Sequence, residues 1–181
     1  MGKELCIFND TEVDIPYGLK EMIEVSIPKT GLPTLDQFLT NLKISGISAE
    51  AIIDQVTRKV NSSLDYLVDG FQDRPTNIQS IELDPGLAKD YANKVLAGGY
   101  GRCEDAGAVI RTILKLILPA QFKVNQISIP SQVYDGTHDI TFVYSPNGKL
   151  FTDSIRYQGH KGGVFSEENC PIKMVKMSEL F

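Results

Sequence analysis

The sequence predicts an α+β domain, with helices first and an antiparallel sheet after them. Three observations carry this. Apolar residues recur at helical spacing between residues 48 and 118. Period-two alternation takes over after residue 123, around a Ser-Pro-Asn-Gly turn signal. The 181 residues are 42% hydrophobic and 23% charged, which suits one globular core needing neither disulfides nor a metal.

Residues 1–47 read as an N-terminal extension packed on the core, and 48–181 as the domain that carries chemistry. Pro16, Pro28 and Pro33 interrupt short β-prone pieces, so residues 1–34 are expected to be irregular with one short strand. Thr34 could cap a helix over Leu35 to Leu42, ended near Gly46. Ser48 is a good N-cap, and Glu50 falls where the helix dipole favours an acid. Ile53, Val56, Val60, Leu64 and Leu67 then predict an amphipathic helix from Ala49 to Val68. A loop with Gly70, Pro75 and Asn77 follows. Asp84-Pro85 opens the next helix, striped by Leu87, Tyr91 and Val95 and stopped by Gly98 and Gly99.

From Cys103, the residues Ala106, Val109, Ile110, Ile113, Leu114 and Ile117 make a helix apolar on more than one face, hence central in the core. Pro119 ends it. Val124 to Ile129 and His138 to Tyr144 read as strands, and Lys149 to Ile155 as the strand returning from the turn. A glycine-containing tail (Gly159, Gly162, Gly163) leads to a last edge segment near Ile172 to Val175.

Composition excludes several functions. The formal net charge is −5 and the Lys and Arg residues are scattered, which argues against nucleic acid as partner. Cys6, Cys103 and Cys170 are odd in number and far apart, so neither a disulfide framework nor a zinc site is expected. With only His138 and His160 as histidines, no metal or other cofactor is expected. No stretch resembles a signal peptide or a span of roughly 20 apolar residues. Cys6 stands where myristoylation wants Ser or Thr. The expectation is a soluble cytoplasmic protein without a membrane partner, export by another route staying open.

Cys103 sits at a helix start after Gly98-Gly99-Tyr100-Gly101-Arg102. A helix N-terminus is electropositive, stabilises a thiolate, and offers free N–H groups to an oxyanion. A lone cysteine is more often a buried structural residue, so the reading depends on its company. His138 opens a strand and is the better-placed base, since His160 lies in the loop Gly159-His160-Lys161-Gly162. Asp153 closes the following strand. If Ser145 to Gly148 form a four-residue loop, Tyr144 pairs with Lys149 and Asp153 falls opposite Ile140. Asp153 is then the diagonal neighbour of His138 on one face. A two-residue Asn147-Gly148 turn keeps the shared face one step farther apart; a three-residue loop would separate them. Together, Cys103 would attack, His138 would carry the proton and Asp153 would orient the imidazole. Asp105 is expected to serve the helix N-terminus, and the Tyr100 ring to pack.

Gly101-Arg102-Cys103-Glu104-Asp105, followed by His138 and Asp153, resembles the transglutaminase-like superfamily. That family shows Gly-x-Cys-x-Asp at a helix start, a His opening a strand and an Asp on the next strand. Here His138 lies 35 residues after Cys103 and Asp153 another 15 on, within the family's spacing. The likeness covers roughly residues 48–156. It departs at Ile140, where the family often has Trp, at Ser154, where Pro is common, and at Gly107, where Ala is common. The resemblance implies a papain-like fold with a Cys-bearing helix on a sheet carrying His and Asp. It implies acyl transfer through a thioester on a peptide, protein or small amide, with water or an amine as acceptor. Arylamine N-acetyltransferases are a second similarity, through Gly98-Gly99-Tyr100, but two extra residues precede Cys103. A non-catalytic binding module on the same fold is the other reading. A redox-sensing Cys103 has little support, as no second cysteine is placed to resolve it.

Overall fold

The computed structural model describes residues 17–44, 46–130, 137–153 and 164–165, with Asp153 described by its backbone alone. The expected segment Ile172 to Val175 lies outside these residues, as do Cys6, Cys170 and His160. The elements run α1 (Tyr17–Lys20), β1 (Met22–Ile23), α2 (Pro33–Thr40), β2 (Ile47–Ser48), α3 (Ala49–Ser63), β3 (Asp65–Tyr66) and α4 (Ile78–Glu82). They continue with α5 (Pro85–Gly98), β4 (Tyr100–Gly101), α6 (Cys103–Ile117), β5 (Lys123–Pro130), β6 (Thr137–Ser145), β7 (Gly148–Asp153) and β8 (Val164–Phe165). Helices followed by an antiparallel sheet is the α+β order expected. Among the described residues, no helix is long and apolar enough to cross a membrane.

Local chemistry sets the helix ends. The Ser48 hydroxyl accepts from the Ala51 N–H at 3.2 Å. The Asp84 carboxylate accepts from Gly86 and Leu87 N–H groups at 2.9 and 3.1 Å. Each such cap is worth about 1 kcal/mol. Gly99 ends α5 at φ 72, a left-handed conformation that favours glycine. Helix α3 stops at Ser63, five residues short of Val68. Leu64 turns extended, and Asp65–Tyr66 pair in parallel with Tyr100–Gly101. Backbone bonds from Asp65 N–H to Gly99 and from Leu67 N–H to Gly101 reward leaving the helix. Helix α2 starts at Pro33 rather than Leu35, because a proline costs nothing at a first helical position.

Residues 17–44 share one apolar cluster with the rest: Leu19, Leu35 and Leu39 are buried together with Ile53, Val56, Ile110 and Leu114. The pair Met22↔Ser48, Ile23↔Ile47 ties this segment to the start of α3.

The sheet has the order β5-β6-β7-β8, every pair antiparallel. Its hairpin pairs Ser145↔Gly148, Tyr144↔Lys149 and Ile140↔Asp153. That is the register in which His138 and Asp153 are diagonal neighbours along the backbone.

Contacts show which sheet face meets the helices. Arg111 of α6 forks onto Asp139 of β6, at 2.6 and 3.0 Å, and donates to the Thr141 hydroxyl at 3.1 Å. The Thr152 hydroxyl of β7 bonds to that of Thr57 in α3 at 2.5 Å. Val124, Val143, Leu150 and Val164 join the helical core on the same side. Strand alternation sends Ile140 and Phe142 to the opposite face, where Phe142 packs on Phe151 with ring centres 5.1 Å apart.

The Arg111 cluster is closed to solvent. Its guanidinium also reaches Glu82 at 2.7 Å, and the Gln126 amide donates to Asp139 at 2.9 Å. Burial pushes the Asp139 carboxyl up to about 6, against the pull of Arg111, because one guanidinium serves two carboxylates. Gly107 makes room for the cluster: a Cβ there would lie 2.9 Å from both the Asp139 carboxylate and Arg111. A glycine at this position therefore has a steric cause.

Two outcomes follow. Gly107→Ala should lower stability by about 1–3 kcal/mol through crowding, although Ala in an open helix position gains about 1 kcal/mol over Gly. Urea unfolding measures the sign. Asp139→Leu should cost about 3–5 kcal/mol by stranding a buried charge, and the pair Arg111→Met with Asp139→Leu clearly less. A double variant at least as unstable as the single one would refute this account of the interface.

Candidate active site at the start of helix α6

Cys103 is the first residue of α6, with Arg102 as the N-cap in extended conformation. The Cys103 side chain is buried, 3% exposed. What holds this turn in place is Asp105, two residues on and 0% exposed. Its carboxylate accepts from the Arg102 N–H at 2.9 Å, closing the helix end, and from the Phe71 N–H at 2.9 Å. It also accepts from Arg74 through Nε at 3.1 Å and Nη2 at 3.2 Å, and from the Tyr91 hydroxyl. These donors hold the Asp105 carboxyl below its ordinary 3.8, although burial works the other way. Burial, and then the Asp105 carboxylate, push ionisation of Tyr91 far above its ordinary 10, so the hydroxyl stays a donor.

The expectation that Asp105 serves the helix N-terminus agrees with this geometry. Glycines before a nucleophile can let the backbone approach a substrate, but Gly101 has another reason. A Cβ there would sit 2.8 Å from Asp105, so the glycine admits the protein's own carboxylate rather than a substrate. The Tyr100 ring packs on Phe71, centres 5.3 Å apart. On the outer side, Arg74 and Arg102 both reach Glu104, at 3.0 and 3.2 Å. A depression of about 10 Å³, enough for one water, opens beside the turn between Asn61, Tyr66 and Arg102.

His138 is the second residue of β6 and is fully buried. Its neighbour Asp139 packs against Gly107 and Arg111, one and two turns along α6 from Cys103. Alternation along β6 therefore turns Asp139, not His138, toward the face that α6 covers. The structure brings the backbones of His138 and Asp153 into the expected register, and the β6 side chains Asp139 and Thr141 reach Arg111 on the Cys103 helix. Among the described residues, no cluster of His, Cys, Asp and Glu could hold a metal.

Sequence reasoning missed Arg74, Tyr91, Arg111 and Asp139. One signal was present. Arg111 stands inside the apolar run Val109 to Leu114 and Asp139 inside a β-prone run. Two opposite charges buried by their own periodicity seek each other. Arg74 and Tyr91 gave no such signal, being remote in sequence from Asp105.

No protein-family profile, curated protein or solved structure matches this chain.

Because Asp105 is lowered in the folded state, its contribution is full above its unfolded value of about 4 and is lost as pH falls through the lower folded value. Asp105→Asn should therefore cost about 2–4 kcal/mol at pH 7. Its deficit against the parent should shrink below pH 3.8. Unfolding curves at pH 7, 4 and 2.5 test this, and a deficit independent of pH would refute the ionic role.

Proposed function

We propose that the protein is a cysteine-dependent acyl-transfer enzyme of transglutaminase-like, papain-related type, with Cys103 as nucleophile, His138 as proton carrier and Asp153 as its orienting carboxylate. The observation that carries this reading is Cys103 at the first position of the central helix. There the first-turn N–H groups can hold an oxyanion. The rigid Asp105 hub behind it fits the family's Gly-x-Cys-x-Asp pattern, with the Asp structural.

In this mechanism the Cys103 sulfur attacks the carbonyl carbon of a peptide, protein or small amide. The C–N bond breaks, and the proton taken from the thiol leaves with the amine by way of the imidazole. Water or a second amine then opens the thioester and restores the thiol. No cofactor enters.

A second reading, a non-catalytic binding module on the same fold, is favoured by the burial of Cys103 and His138 and by the β6 alternation that turns Asp139 toward α6. Iodoacetamide alkylation at pH 6, read cysteine by cysteine with mass spectrometry, separates the two, followed by acyl-enzyme trapping with p-nitrophenyl acetate. The enzyme reading expects Cys103 to react at least about tenfold faster than Cys6 and Cys170. It expects His138→Ala to remove that advantage and an acetyl group to be trapped on Cys103. Native Cys103 that neither alkylates nor acylates would leave the binding module.

A further inference from the structure

Helix α5 opens with small residues, and this leaves a gap against α6. Pro85 and Ala88 bring little bulk to the interface, and across from them stand Thr112 and Leu116. The result is a mostly apolar cavity of about 180 Å³ at the surface. Two cations border it, Lys89 from α5 and Lys115 from α6. Neither lysine has a carboxylate partner among the described residues. The acids here are already engaged: Glu82, which itself lines the pocket, is held by Arg111 at 2.7 Å, and Asp84 caps α5. In a chain of net charge −5, a mostly apolar pocket lined by two lysines without carboxylate partners, its own Glu82 being held by Arg111, is a local inversion of sign.

We propose that this pocket binds a short aliphatic carboxylate, its hydrocarbon body in the cavity and its anionic head between Lys89 and Lys115. A cavity near 150 Å³ accepts one benzene ring, so there is room for a body of about six carbons. The two charges supply the orientation that a purely apolar pocket lacks. The Thr112 hydroxyl and the Glu82 carboxylate, which Arg111 holds at 2.7 Å, are the remaining polar groups of the lining. Thr112 and Lys115 lie nine and twelve residues beyond Cys103, roughly 14 to 18 Å along the helix axis. The pocket is thus separate from the proposed acyl-transfer site, and its test is independent of that reading.

Sodium hexanoate titrated into the full ¹⁵N-labelled chain, at low salt, tests the inference. Saturable shifts are expected in the amides of residues 85–89 and 112–116. Lys89→Met with Lys115→Met should weaken hexanoate about tenfold or more, while leaving the weaker binding of hexan-1-ol unchanged. Both lysines reach solvent, so this variant keeps the fold, and an unchanged amide spectrum without ligand checks that. Ala88→Leu should fill the cavity and exclude both ligands. Hexylamine binding more tightly than hexanoate would overturn the inference. So would hexanoate affinity unaffected by loss of the lysines, or shifts confined to other segments.

Discussion

The Arg111–Asp139 ion pair is the constraint on which the two halves of the molecule depend. Among the described residues it is the ion pair that crosses from the helical layer to the sheet, and both partners are closed to water. A buried pair contributes little net stability over an apolar replacement, but breaking it is expensive. Its consequence is specificity. Once Arg111 must meet Asp139, β6 has one permitted face and one permitted register against α6. A slip by one residue would bury the guanidinium against Ile140 or His138 and leave Asp139 unpaired. Gly107 belongs to the same constraint, since a methyl group there would occupy the carboxylate's place.

Asp105 plays the corresponding part at the other end of α6. One carboxylate gathers the N-cap amide, the Phe71 amide, Arg74 and the Tyr91 hydroxyl. It joins the loop after β3, helix α5 and the first turn of α6 into one rigid unit. Cys103 lies two residues before it, so the position of the thiol is inherited from this network. A nucleophile needs such support, because a loose first turn would spread the thiol over many orientations. The same support would serve a purely structural cysteine.

The two networks pull the functional reading in different directions. The Asp105 hub suits the transglutaminase-like pattern from Gly101 to Asp105. The Arg111 cluster gives the α6-facing side of β6 to Asp139 and Thr141. In the proposed mechanism, the imidazole works from the start of β6, the second residue of that strand. Gly107 falls on this interface, where the helix-to-sheet contact is built around a buried charge, whereas Ile140 lies on the other face of the sheet.

By itself the sequence determined the longer helices, the three long strands and their order, while α1, α4, the two-residue strands β2 to β4 and β8 were not legible in it. Ser48 and Asp84-Pro85 are caps whose effect reaches only three residues, so their helices start where the letters say. Gly99 ends α5 for an equally local reason. The alternation in β6 and β7, with a turn between them, fixed the hairpin pairing down to Ile140 opposite Asp153. The positions of Cys103 and Asp105 at the start of α6 were legible for the same cause. What only the tertiary structure decided is everything that depends on distant partners. Helix α3 ends at Ser63 because β4, more than thirty residues away, offers Asp65 and Leu67 better bonds than another helical turn. Alternation says that His138 and Asp139 point opposite ways, but either face could have met the helices. Arg111 made that choice, since a buried guanidinium accepts only the face that carries a carboxylate.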